Sequence, residues 1–138
     1  MKLLCFQAKR FRWKSFRKTL EEAADQSVED ELRDCVVVFL HAESKDEGAE
    51  PRARAFKHTL KHVKWLANKR EFRNVVLHSF THLGGDNAAP AFAQGFLTEL
   101  QDRLVATDYT VKCTPFGYFC EWDLEVHGES LAKVWKEI

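Results

Sequence analysis

Two stretches carry residue types that could do chemistry. HSFTHLGGD, residues 78–86, ends an apolar run in Thr81 and His82 and then turns on Gly84 and Gly85. A buried strand that runs into a polar, glycine-containing turn and then a helix is how α/β folds place ligand groups beyond the carboxyl end of a sheet. The glycines let backbone approach a ligand, and N–H groups near a helix start favour an anion or a developing oxyanion. Thr81 and His82 would face that space; a plain strand-to-helix turn with a satisfied histidine is the other reading. TPFGYFCEW, residues 114–122, sets Pro115 and Gly117 around Phe116, and Tyr118, Phe119, Cys120, Glu121 and Trp122 follow without a break. It reads either as a β-hairpin turn or as the ring-lined wall of a site. No Ser/His/Asp order, paired-carboxylate spacing or phosphate-loop motif occurs, so an enzyme built on these loops uses few side chains.

The remaining chemistry-bearing residues are less pointed. His58 and His62 stand four apart on a helix, a spacing that can hold a metal, but Lys57, Lys61 and Lys64 beside them would repel a second cation. Both histidines are expected to point away from the apolar stripe. His41 and His127 have no partner at a telling spacing. Cys5, Cys35, Cys113 and Cys120 form no C-x-x-C pair and lie in or next to apolar segments, which points to reduced thiols rather than disulfides or zinc. Neither a metal nor a cofactor is expected.

Positioning these loops takes strands and helices. KLLCF (2–6) and FRWKSF (11–16) read as two strands of a hairpin, and CVVVFLHA (35–42) as a central strand covered on both faces. Phe56, Leu60, Val63 and Ala67 make a helix of 52–68. NVVLHSF (74–80) is the next buried strand, and a second helix over about 90–106 opens on Pro90 and carries Phe92, Phe96, Leu100 and Leu104. YTVKC (109–113) and YFCEWDLEV (118–126) are strands, and SLAKVWKEI suits a short terminal helix. The order implies one α/β domain over residues 1–138, a mixed β-sheet with two main helices packed on one face.

Lys plus Arg equals Asp plus Glu at 21 each, so no global field favours nucleic acid or membrane. The charge is uneven, however. KRFRWKSFRK (9–18) is basic with interleaved aromatics and EEAADQSVEDELRD (21–34) is mostly acidic. One reading is a phosphate-facing patch beside an acidic loop, and the other is the solvated faces of a hairpin and its connection. MKLLCF is too short for a signal peptide's apolar core and no run approaches membrane-spanning length. A soluble, cytoplasmic protein with no membrane partner is expected.

The stretch VVLHSFTHLGGDNAAPAFAQGFLTELQDRL followed by YTVKCTPFGYFCEWDLEVHGESLAKV resembles the editing domain of archaeal threonyl-tRNA synthetases. In that family a strand ends in Phe-Ala-His-Leu, a helix with an early proline follows, the next strands are joined by Ala-Pro-Phe-Gly-Tyr-Tyr-Lys, and Gly-x-x-Leu-Ala closes the domain. The matches here are Phe80, His82 and Leu83, then Pro90, then Pro115, Phe116, Gly117 and Tyr118, and finally Gly128, Leu131 and Ala132. The resemblance implies a D-aminoacyl-tRNA deacylase-like fold, usually dimeric, that hydrolyses seryl-tRNA(Thr). Serine lacks one methyl of threonine, a difference worth only about 1–3 kcal/mol in binding, so a second site that destroys the error is needed. Water attacks the aminoacyl ester while N–H donors hold the oxyanion, each donor contributing on the order of 100 to 1000-fold.

Carried across by position, His82 with the backbone around Phe80 and Thr81 would line the amino-acid side. Phe116, Gly117, Tyr118 and Phe119 would bracket the terminal adenosine and the ester. The family's catalytic lysine falls on Cys120 and its helix glutamate on Lys133. Three readings follow: Lys133 returns an ammonium to the site from the terminal helix, the pocket binds but does little chemistry, or Cys120 is a nucleophile assisted by His82 or Lys133. The archaeal enzymes continue into catalytic and anticodon-binding domains, whereas these residues stop at Ile138 with no recognisable ATP site. The expectation is a freestanding editing factor acting in trans on an aminoacylated tRNA acceptor end, with a second copy or a threonyl-tRNA synthetase as partner. The alternative is a tRNA-end binding module or dimeric interaction protein. The Gly-Pro motif of D-aminoacyl-tRNA deacylases is absent.

Overall fold

A computed structural model describes residues 1–138. Its strands are β1 (Lys2–Lys18), β2 (Glu29–His41), β3 (Asn74–Ser79), β4 (Thr110–Cys113), β5 (Tyr118–Val126) and β6 (Lys133–Glu137). The helices are α1 (Ala49–Asn68) and α2 (Pro90–Val105). The sheet runs β4-β3-β2-β1-β5, with β6 pairing β1 as well. β2, β3 and β4 are mutually parallel because α1 and α2 are the crossovers between them; β1 is antiparallel to β2, β5 and β6. The mixed sheet with two helices expected from the sequence is the architecture observed.

β1 is one strand, not the two of a hairpin. Residues 7–10 contain no Gly, Pro, Asn or Asp, so nothing turns the chain there. What broke the apolar rhythm is a bulge: Ala8 pairs Val126 and Arg10 pairs Glu125, leaving Lys9 as an extra residue against β5. On the β2 side the matching irregularity falls at Asp34, whose φ is 47°. Past these two residues both strands exchange faces. The hairpin is instead β1 with β2, and the acidic run is divided between the connection before β2 and the start of β2, with Glu29, Asp30 and Glu31 opposite Lys14, Trp13 and Arg12. The expected terminal helix is also a strand: β6 pairs Lys133 to Phe6 through Glu137 to Lys2. Nine residues nucleate a helix poorly, and an open edge of β1 offers Val134 and Trp135 a ladder.

Both helices cover one face. Leu3, Cys5, Val36, Val38, Leu40, Val75 and Leu77 of the sheet are buried against Phe56, Val63 and Leu66 of α1 and Phe96, Leu100 and Leu104 of α2. His62 belongs to this buried side of α1, beside Trp65, rather than pointing outward with His58. On the opposite face no helix contributes: Ala8, Phe11, Trp13, Cys35, Val37, Phe39 and Val76 form a second core, with Phe80 and Leu124 against it. The rotated outer halves of β1 and β2, with β5, close over that face.

Candidate active-site cleft

The second core leaves a cleft of about 580 Å³ where β3 and β5 approach each other. Alternation along β3 sends His78 and Phe80 to the same side as Val76, and alternation along β5 sends Tyr118, Cys120 and Trp122 to meet them. Phe39 packs behind these rings, its own ring 5.0 Å from His78, 4.9 Å from Phe80 and 5.2 Å from Trp122. Phe116 and Pro115 come from the turn before β5, and Asn87, Ala88, Pro90 and Ala93 from the start of α2. At the start of α2 the Ala89 N–H donates to Glu47 Oε1 (2.8 Å), Pro90 has no N–H and the Ala93 N–H goes to Ala89 O, so the helix residues that border the cleft offer it no free donor.

The two loops are held by different devices. Buried His41 takes an N–H from Leu83 on Nδ1 (3.2 Å), so Nε2 carries the proton and donates to Asp86 O (2.8 Å) and Asn87 Oδ1 (2.7 Å). Asp86 in turn accepts from the Ser44 backbone N–H and hydroxyl. These bonds fix the loop from His82 to Asn87. The other loop is strapped down by residues 19–28, the β1–β2 connection. Gly117 O accepts from Thr19 N–H at 2.7 Å, and the Tyr118 hydroxyl accepts from Gln26 N–H (3.0 Å) while donating to Ala24 O (2.8 Å). Gly117 has φ 78°, and a Cβ there would stand 3.0 Å from Ala23 Cβ, so both its conformation and the strap's approach demand glycine.

Phe80, Thr81, His82, Phe116, Gly117, Tyr118, Phe119 and Cys120 all border the cleft. Within that set the rings divide. Phe119 faces the other side of β5, 46% exposed with the Arg17 guanidinium 5.7 Å from its ring, so it stands at the rim rather than clamping a base. His82 is exposed, and its ring meets the Phe80 ring edge-on at 5.0 Å. Gly84 and Lys133 do not line the cleft. A Cβ on Gly84 would lie 2.9 Å from Lys2 Nζ and 3.5 Å from His41 Cε1, so this glycine admits Lys2, not a ligand. Lys133 begins β6 opposite Phe6 and its Nζ donates to Gly128 O at 3.2 Å. The helix that was to aim it at the site is absent.

The cleft is therefore lined without a lysine, arginine or carboxylate. Burial pushes the Cys120 thiol up, and no lysine or arginine lines the cleft to favour a thiolate, which weighs against the nucleophile reading. Sequence reasoning missed His78 and Trp122. His78 is buried, bonded through Nδ1 to the Thr114 hydroxyl at 2.7 Å, and desolvation holds its pKa down to about 4. It is a neutral imidazole at physiological pH, with no protein partner on Nε2. Its position two residues before Phe80 was the available signal, since period two puts both on one face.

The defining pattern of the Archaea-specific editing domain of threonyl-tRNA synthetase matches residues 1–138. Among curated relatives, the threonine–tRNA ligase of Methanoregula boonei is 28% identical over the whole chain and that of Hyperthermus butylicus 30% identical over 97% of it. The chain spans 22% of the length of each. Among solved structures, c-Myc DNA Unwinding Element Binding Protein aligns with a TM-score of 0.66 over 100% of this chain and 99% of its own, at 12% identity, which shows a shared fold of the D-aminoacyl-tRNA deacylase type. Since the family's pattern extends from Met1 to Ile138, and both loops that carry its motifs converge on one cleft, the chain belongs to the archaeal threonyl-tRNA synthetase editing-domain family.

Proposed function

We propose that the cleft receives the aminoacylated 3′ end of a tRNA and hydrolyses a seryl-tRNA(Thr)-like ester, acting in trans. The observation that carries this is the convergence of the His82 loop and the Phe116–Tyr118 turn on one ring-lined, uncharged space of nucleoside size. Phe116, Tyr118 and Trp122 offer faces for the terminal adenine, and base–ring stacking contributes about 1–3 kcal/mol per base. Water oxygen bonds to the ester carbonyl carbon, the bond to the ribose oxygen breaks, and that oxygen takes up a proton. His82 accepts the proton from water and returns it to the ribose. The backbone N–H groups of Thr81 and His82, which border the cleft, hold the oxyanion. With no cation in the cleft, catalysis rests on these donors, His82 and the substrate's own neighbouring hydroxyl.

A second reading has its own support: with Cys120 in the lysine position and Lys133 turned away, the cleft binds the tRNA end and performs little hydrolysis. Incubation with seryl-, threonyl- and D-aminoacyl-tRNA separates the two. The hydrolase reading expects seryl-tRNA(Thr) to be cleaved well above the buffer rate and ahead of threonyl-tRNA, with His82→Ala losing on the order of 100-fold. Binding that depends on the 3′ end, without cleavage of any ester, leaves only the second. A threonyl-tRNA synthetase is the source of mischarged substrate in this reading. A homodimer through the open side of β6, where Trp135 is 53% exposed, completes it; a single monomeric species on sedimentation removes that part.

A further inference from the structure

A second groove, of about 630 Å³, lies between α1 and α2 on the outer side of the helical layer. It is lined by Arg52, Lys57, Lys61, Lys64 and Arg103, with Glu99 as its one carboxylate. Glu99 is already bound to Arg52 at 2.6 Å. The Lys57, Lys61, Lys64 and Arg103 side chains make no ion pair at all, although the chain has as many carboxylates as cations. Apart from Glu99, the carboxylates that are ion-paired lie elsewhere. On β1, which is the more basic stretch of sequence, Arg10 is paired with Glu31, Asp123 and Glu125, Arg12 with Glu29 and Asp123, and Lys18 with Asp25. The fold thus pairs half of the cations in the segment that looked phosphate-facing, leaving Lys9, Lys14 and Arg17 without an ion pair there, whereas the three lysines along one stripe of α1 are all uncompensated.

The geometry of that charge is ordered. Lys57, Lys61 and Lys64 fall at i, i+4 and i+7, one stripe spread over about 10 Å of helix axis. Like charges at this spacing destabilise a helix unless something negative lies along them. Arg103 is braced from the opposite wall by the Phe56 ring, 5.6 Å from its guanidinium. α2 links this groove to the cleft: Pro90 and Ala93 of its first turns border the cleft, and Arg103 lies about 15 Å further along the same helix. A continuous polyanion whose end enters the cleft would have its next charged segment within reach of the groove.

We infer that the α1–α2 groove is a binding site for the phosphate backbone of an RNA, the acceptor-arm duplex of the molecule whose 3′ end occupies the cleft. The placement rests on the proposed function, and the charge itself does not. Recognition here reads no sequence: ammonium and guanidinium groups displace counterions from phosphates, so binding falls with salt in proportion to the contacts made.

The test uses the full chain and a fluorescent RNA hairpin with a single-stranded CCA end, and a second hairpin lacking it, titrated by anisotropy at several salt concentrations. Lys57→Gln, Lys61→Gln and Lys64→Gln combined lower the net charge by three, while the control Lys9→Glu with Lys14→Glu on β1 lowers it by four. The groove variant is expected to bind both hairpins about 10-fold or more weakly at low salt and to lose about 2 to 3 from the salt slope, with the control within about 3-fold of the parent. Equal loss in the control would reduce the effect to net charge and overturn the site, as would unchanged affinity in the groove variant. Stronger binding of polyglutamate than of either hairpin, lost in the same variant, would replace RNA with an acidic protein. Removal of the CCA end without effect, while the groove variant still weakens binding, would keep the groove and sink the cleft's proposed ligand.

Discussion

Cys120 sits on β5 where the family resemblance calls for a lysine, facing the cleft between Tyr118 and Trp122. Its thiol is half buried against rings, and burial raises its pKa with no lysine or arginine lining the cleft to oppose it. The prediction is that Cys120→Ala keeps ester cleavage within about 3-fold and that iodoacetamide alkylates the native protein more slowly than a free thiol at pH 7. A loss of 100-fold or more in Cys120→Ala, with rapid alkylation, would restore the thiolate. Individual residues were legible where a motif named them: His82, Phe116 and Tyr118 all reach the cleft because each belongs to a strand tip whose sequence announces a turn. Lys133 was not, because its direction depended on an element that forms differently. His78 was hidden by its own chemistry, since a histidine inside an apolar run looks like a satisfied core residue until its strand partner is known, and here that partner is Thr114 of a distant turn.

The elements that decide the site's shape are connections rather than strands. Residues 19–28 leave β1, cross beside the Phe116–Gly117 turn and return as β2, and they are tied down chiefly by Gly117 and the Tyr118 hydroxyl. Tyr118→Phe removes one donor and one acceptor from that strap, a cost of about 1 kcal/mol, which for a domain of this size lowers Tm by about 4 °C. Gly117→Ala adds a left-handed alanine and a contact with Ala23, and should cost more. In both variants limited proteolysis should cut first within 19–28. Cleavage elsewhere first, at an unchanged rate, would show that the strap is held by other contacts. The sequence made α1, α2 and β3 plain because their periodicity is local. It did not make the strap, the full length of β1 or β6 plain, for each depends on a partner far along the chain: Lys9 breaks the period only as a bulge against Val126 and Glu125, and the 133–137 segment becomes a strand only because the start of β1 has an open edge.

Across the whole molecule, two buried groups make folding sensitive to acid in the same direction. His78 is packed among Phe39, Phe80 and Trp122, and desolvation lowers its pKa to about 4. Because the folded value lies below the ordinary imidazole value of about 6.5, the unfolded chain takes up the proton first, and stability falls as pH drops from about 6.5 to 4. That displacement corresponds to roughly 3 kcal/mol. Glu43 acts lower on the scale. Burial alone would raise it, but the hydrogen bonds from Lys2 (2.5 Å) and the buried Met1 ammonium (2.9 Å) outweigh burial and hold it down to about 2. Its folded pKa is depressed, so its contribution is complete above the ordinary glutamate range and is lost as pH falls from there toward 2. Urea titrations at pH 7, 5.5, 4.5 and 3 should show stability declining throughout, with His78→Phe flattening the decline between 6.5 and 4 and Glu43→Gln flattening only the part below. The phenylalanine keeps the aromatic packing around Phe39 while removing the titrating group, so a less stable variant whose curve nonetheless runs parallel to the parent's would show that His78 is not the group that senses the upper range.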